Sequence, residues 1–135
     1  MAKVVVSSQG PTLESMVDPR FGRAAYFLVI DTDTMSFEVL DNSKARSASH
    51  GAGIQAAQLV ASAKPEAVIT GVVGPKAFEA LRAAGIPVVQ EASGSVKEAV
   101  EAYLAGKLRP TDTPLGGGGG MGMGRGRGMG RGRGW

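Results

Sequence analysis

Ser49, His50, Gly51 and Gly53 sit together in the run Ser47-Ala48-Ser49-His50-Gly51-Ala52-Gly53, and His50 is the only histidine of the chain. A neutral imidazole nitrogen can ligate a metal, although a solvated or hydrogen-bonded histidine is its plainer use. The two glycines let a ligand approach the backbone closely. If a helix opens here, its unpaired N–H groups and partial positive charge suit an anion. A second stretch, Asp18-Pro19-Arg20-Phe21-Gly22-Arg23, sets two guanidiniums beside a proline-stiffened turn. Arginine recognises anions through a rigid fork of donors. A structural loop, with Asp18 bonding its own turn and the arginines in solvent, fits the same residues. The third stretch, Thr70-Gly71-Val72-Val73-Gly74-Pro75-Lys76, reads as strand, glycine turn and helix start. It lacks the spacing and the Lys-Ser/Thr pair of a P-loop, so anion binding and a tight β–α connection both fit it. Met16 and Met35 offer soft thioethers, but packing is the commoner use of methionine.

These residues need elements to hold them. Residues 3–7 form a β-branched run that predicts a buried strand, and 26–30 predict a second. After the turn Asp31-Thr32-Asp33-Thr34, residues 36–40 alternate polar and apolar as an edge strand with one wet face does. An Ala-rich helix is predicted over 51–63 and a short buried strand over 67–70. Pro75 suits the first position of a helix running to Ala84, with Gly85 closing it. A fifth strand follows at 87–90. Ser95, with Glu98 three residues on, predicts a capping box for a last helix ending near Gly106. The order β-β-β-α-β-α-β-α predicts an α/β fold of the ribonuclease H-like kind, a mixed five-stranded sheet with helices on its faces. In such a sheet the Gly71–Gly74 turn lies at the carboxyl end of its strand, where open sheets bind ligands.

Composition narrows the chemistry. The 135-residue chain has no cysteine, which excludes disulfides, thiolate zinc sites and ordinary iron–sulfur ligation. A metal must be held by other groups, or arrive wrapped in its own inorganic ligands. Residues 116–135 hold twelve glycines, three methionines, four arginines and Trp135. The rest of the chain carries eleven cationic side chains against twelve acidic ones. Its formal charge is therefore −1, and the basic pI belongs to the end of the chain. We expect a folded domain over 1–110 and a disordered Gly/Met/Arg-rich tail over 111–135. The N-terminus reads as a strand rather than a signal peptide, and no apolar run approaches the ~20 residues that span a bilayer, so a cytoplasmic protein with no membrane partner is expected.

The runs Asp18-Pro19-Arg20-Phe21-Gly22-Arg23-Ala24, His50-Gly51-Ala52-Gly53-Ile54-Gln55-Ala56-Ala57 and Thr70-Gly71-Val72-Val73-Gly74-Pro75-Lys76-Ala77-Phe78 occur in that order. Together they resemble the dinitrogenase iron–molybdenum cofactor biosynthesis family, which includes nitrogenase cofactor carriers and the orange proteins. The resemblance spans about residues 3–105. It implies a ribonuclease H-like fold and non-covalent binding of a molybdenum-containing metal–sulfur cluster. In the orange-protein branch this is a mixed molybdenum–copper sulfide, and in other branches the iron–molybdenum cofactor or a precursor. By the same resemblance Arg20, Arg23, His50, Gly51, Gly53, Gly71, Gly74 and Lys76 line the site, and Gly22 and Ser49 are candidate site residues beside them. His50 is its candidate metal ligand, and Phe21, Val72 and Val73 form an apolar wall. A thiometalate has several charges and weakly basic sulfurs, so it suits N–H groups, guanidiniums and an apolar wall.

Two other function classes compete. A ribonuclease H-like nuclease needs clustered carboxylates on its central strands, and residues 3–7 hold none. Arg125, Arg127, Arg131 and Arg133, spaced by glycine, resemble an RNA-binding or protein-interaction tail. The near-neutral domain makes nucleic acid the weaker expectation. A carrier working within a multiprotein complex remains compatible with every feature above.

Overall fold

Short β-branched runs form the centre of the molecule because they pack on both faces. The computed structural model describes residues 2–48 and 51–115. Strand β1 (Lys3–Ser8) pairs antiparallel with β2 (Tyr26–Asp31), which pairs antiparallel with β3 (Phe37–Asp41). On its other side β1 pairs parallel with β4 (Ala67–Ile69), and β4 pairs parallel with β5 (Val88–Val89). The sheet order is β3-β2-β1-β4-β5, so the mixed five-stranded sheet expected from the sequence is present.

The helices are α1 (Ser43–Arg46), α2 (Ala52–Ser62), α3 (Pro75–Ala83) and α4 (Val96–Leu104). The single turn α1 was not expected, because Ser43-Lys44-Ala45-Arg46 is too short to show a helical period. Val5, Phe27, Val29, Val68 and Val88 join Ala56, Ala57, Val60, Phe78 and Leu81 in the core on one face. Val4, Val6, Leu28, Ile30, Ile69 and Val89 meet Val96, Ala99 and Val100 on the other. The two-residue alternation of strand side chains thus fills two layers from the same valine runs.

Turn chemistry follows the sequence closely. Gly85 and Gly106 take positive φ just after α3 and α4, where a left-handed residue ends a helix. Ser95 Oγ accepts from Glu98 N while the Glu98 carboxylate accepts from Ser95 N, completing the capping box of α4. The Ser95 backbone N–H, and after it the Ser95 hydroxyl, hold the Glu98 carboxyl below the ordinary carboxylate range. No described helix is long and apolar enough to cross a membrane.

Candidate functional site

Beyond the carboxyl ends of β1 and β4 three connections meet. Asp18 is buried and bonds its own turn, its two carboxylate oxygens accepting from the N–H groups of Arg20 and Ala25. Ser7 Oγ donates to Asp18 O at 2.7 Å and lies 2.7 Å from Thr70 Oγ1, tying β1, the arginine loop and the end of β4 together. Arg20 and Val72 form an isolated parallel bridge. Val72 N donates to Pro19 O at 2.8 Å and Phe21 N to Val72 O at 3.2 Å. The arginine loop and the β4–α3 turn are therefore stitched backbone to backbone.

The glycines explain how closely these segments approach. A Cβ on Gly22 would stand 2.9 Å from the backbone N and Cα of Gly53, and one on Gly53 would stand 3.0 Å from Ala77 Cβ. The Pro19 backbone presses still harder on Gly71, where a Cβ would come within 2.5 Å of Pro19 Cα. These three glycines serve the packing of protein on protein. Gly51, at φ +72°, caps α2 in the left-handed region. Gly74 is different: a Cβ there would meet nothing within 4 Å, so its front is open space at the start of α3.

The chain of contacts from Gly22 through Gly53 to Ala77 sets the first turns of α2 and α3 side by side. Neither helix has a side-chain cap, and neither carries an acid in its first turn. The contrast with the fully capped α4 is direct. The rim therefore gathers two helix N-termini whose amide dipoles are positive and are not satisfied by side chains among the described residues.

The side chains sort differently from the sequence expectation. Arg20 is 56% exposed, and among the described residues its guanidinium makes one contact, Nε to Asp18 Oδ1 at 3.5 Å. Arg23 is exposed, but its Nη1 donates to Arg46 O at 2.6 Å and Ala48 O at 3.1 Å. It clamps the chain after α1 as well as carrying charge. Of the expected apolar wall only Val72, 39% exposed, faces outward. Phe21 and Val73 lie in the core, with Phe21 stacked 5.2 Å from Phe27. An apolar residue beside a site motif contributes more to stability when buried, and both were buried. Lys76 is exposed one residue into α3. Ser49 and His50, the latter the candidate metal ligand, lie outside the described residues. No group of three His, Asp or Glu able to hold a metal ion occurs among the described residues.

One residue was missed altogether. Gln90 is buried just past β5, and all its hydrogen-bonding positions are used. Its Oε1 accepts from Val73 N at 3.0 Å and Leu115 N at 2.9 Å, while Nε2 donates to Thr111 Oγ1 and to Thr113 O. Residues 111–115, assigned to the tail from composition, are thus bonded to the sheet edge and to the β4–α3 turn. The lone polar residue closing the run Pro87-Val88-Val89-Gln90 was the only signal for it.

Residues 2–106 match the family model described as dinitrogenase iron–molybdenum cofactor. The chain belongs to that family. The apo form of the orange protein from Desulfovibrio gigas is 46% identical, with a TM-score of 0.83 over 86% of this chain and 98% of that one. A NifB-like protein of the DUF35 family from Thermotoga is 40% identical, with a TM-score of 0.72 over 86% of this chain and all of the other. An uncharacterised protein of Methanocaldococcus jannaschii is 31% identical over 101 residues, which span 73% of this chain and 85% of that one. Membership of the iron–molybdenum cofactor family supports a cofactor-binding or carrier role.

Proposed function

We propose that the domain binds, stores or delivers an anionic molybdenum-containing metal–sulfur cluster without covalent attachment, and that this cluster is a mixed molybdenum–copper sulfide. The observation that carries the reading is the rim itself. Three connections meet there, two helices open with uncapped N–H groups and no acid, and a guanidinium stands at its edge. A thiometalate brings its own sulfide ligands, so a chain without cysteine can hold it through donors alone. Gly74 gives the cluster access to the first turn of α3, Val72 supplies an apolar contact, and Arg20 and Lys76 balance charge. In this reading Arg23 adds charge from its clamped position, and His50 is the residue to test as a direct metal ligand.

The domain carries out no reaction in this scheme. It holds the cluster, excludes water from one side of it, and passes it to an acceptor. Likeness to the orange protein over nearly the whole of that chain favours the copper-containing sulfide over the iron–molybdenum cofactor or its precursor. Nucleic acid is not the ligand assigned to the domain, since residues 1–115 carry a formal charge of only −1.

Anaerobic incubation of the full chain with tetrathiomolybdate and Cu(I), followed by desalting, tests the proposal. Retained molybdenum and copper with visible charge-transfer bands are expected. Protein that emerges colourless and metal-free refutes it. His50→Ala then separates ligation from proximity, since loss of a ligand shifts the bands as well as the affinity.

A further inference from the structure

The two edges of the sheet are finished differently. Beyond β5 the chain supplies its own cover: Val89 forms an antiparallel bridge with Pro110, and Thr111 N donates to Val88 O. Beyond β3 no described residue pairs with the strand. The sheet ends there on Phe37-Glu38-Val39-Leu40-Asp41, with no proline, lysine or glycine to blunt the edge.

The register fixes which backbone groups are left over. Asp31 N donates to Ser36 O and Asn42 N to Ala25 O, and both couples continue the β2–β3 register. Bonded and non-bonded couples alternate along an antiparallel ladder, so Ser36, Glu38, Leu40 and Asn42 turn their N–H and C=O toward β2. Phe37, Val39 and Asp41 turn theirs outward. The side chains of Phe37 and Val39 share one face of the sheet and are 38% and 40% exposed. An apolar stripe therefore runs along a row of unpaired main-chain donors and acceptors.

This edge is complementary to itself. Antiparallel pairing centred on Val39 sets the Val39 residues of two copies opposite each other, and Phe37 of each copy opposite Asp41 of the other. All three residues face outward, so each couple can exchange both of its backbone bonds. The charges agree with that direction. Exposed Asp33 and Glu38 lie toward the start of β3, and exposed Lys44 and Arg46 follow its end in α1. Among the described residues none of the four has an ion-pair partner. Antiparallel pairing brings the acidic end of each copy to the basic end of the other, whereas parallel pairing would set acid on acid and base on base.

We propose that β3 is a dimerisation edge, through which two copies of this chain pair antiparallel about Val39 and join their sheets into one. The contact is isologous and closes on itself. A strand of five residues makes a small interface, so the dimer exchanges reversibly with the monomer. Because β3 runs parallel to β1, the two rims lie at opposite ends of the joined sheet. The pairing does not depend on the cluster-binding reading above.

Sedimentation velocity of the full chain over a concentration series, with amide hydrogen exchange followed by NMR, tests the proposal. A monomer–dimer equilibrium is expected. Exchange at Phe37, Val39 and Asp41 should slow as concentration rises, while Glu38 and Leu40 stay protected throughout. Val39→Lys places two like charges opposite each other and should weaken dimerisation by about tenfold or more, as should Val39→Glu. An equimolar mixture of the two variants should associate about tenfold more tightly than either alone. Tm and tetrathiomolybdate uptake should not change, because residue 39 is exposed and far from the rim's connections. A chain that stays monomeric at millimolar concentration overturns the proposal. Either variant dimerising like the parent overturns it too, and a mixture no tighter than its components overturns the Val39 register. Protection of Phe37 and Val39 that is independent of concentration gives the edge to a segment of the same chain and overturns the second copy as its occupant. The parent's exchange pattern decides the matter if a variant does not fold.

Discussion

Gly71→Ala is the sharpest probe of how the rim is built. The new Cβ would stand closer than 2.6 Å to Pro19 Cα and press on its carbonyl, and both are backbone atoms with no rotamer to change. Relief requires the arginine loop to move off the β4–α3 turn, which breaks the bonds from Val72 N to Pro19 O and from Phe21 N to Val72 O. Each backbone hydrogen bond contributes about 1 kcal/mol net, and a donor left buried without a partner costs about 1–3 kcal/mol. A loss of about 2–4 kcal/mol is expected. For a domain of this size that lowers Tm by roughly 10 °C. The matched control is Gly74→Ala, whose Cβ meets no atom within 4 Å and whose φ of −75° any residue adopts. Its Tm should stay within about 2 °C of the parent, because loss of the glycine at the N-cap and the reduced freedom of the unfolded chain nearly offset each other. Uptake of tetrathiomolybdate should fall in both variants, in the first through loss of the rim and in the second through occlusion of its opening. Calorimetry and uptake measured on the same preparations give all four numbers. A Gly71→Ala protein with the parent's Tm would refute the close stitching of the two connections.

Arg20→Ala should lower the affinity for tetrathiomolybdate by about tenfold and leave Tm nearly unchanged, because its exposed contact with Asp18 contributes under about 1 kcal/mol; desalting assays and calorimetry check both halves. Glu91 holds φ +68° with its N–H on Gly71 O, so Glu91→Gly should raise stability by about 1 kcal/mol, read from urea unfolding. The Glu98 carboxyl is held low by its bonds from Ser95, so the folded state binds that proton less readily than the unfolded one. Its contribution is present at neutral pH and is lost as pH falls through its lowered value. Glu98→Gln should therefore flatten the acid limb of stability against pH, measured by thermal melts from neutral to acid pH.

What was legible in the sequence was whatever a local pattern encodes. The valine run of β1 and the apolar runs of β2 and β4 give strands because β-branched and aromatic residues pack well on both faces of a sheet. Pro75, Gly85 and the pair Ser95 and Glu98 mark helix ends because their backbone requirements are local. The family resemblance located the three connections, but not the reason for their glycines. The sequence reads Gly53 as an opening toward a ligand and places Gly22 and Gly71 on the site, yet all three are contact points between segments far apart in the chain. Gly74 and Gly51, the latter at a left-handed φ, keep an open front. Phe21 and Val73 were likewise placed on a wall, whereas they are core residues under the rim. Which face an apolar residue takes beside a motif depends on what packs beneath it, and that is set by tertiary contacts. Gln90 escaped notice because its partners, Val73 and residues 111–115, are joined only in the folded molecule.

The central claim is that a rim of main-chain donors and guanidinium, without a thiol, holds a ready-made metal–sulfur anion. Its most direct measurement is anaerobic equilibrium uptake of tetrathiomolybdate with Cu(I) by the full chain, followed by molybdenum, copper and visible absorption. The account predicts saturable, stoichiometric binding that Gly71→Ala and Arg20→Ala weaken. Metal that does not stay with the protein, or that stays equally well with both variants, would contradict it.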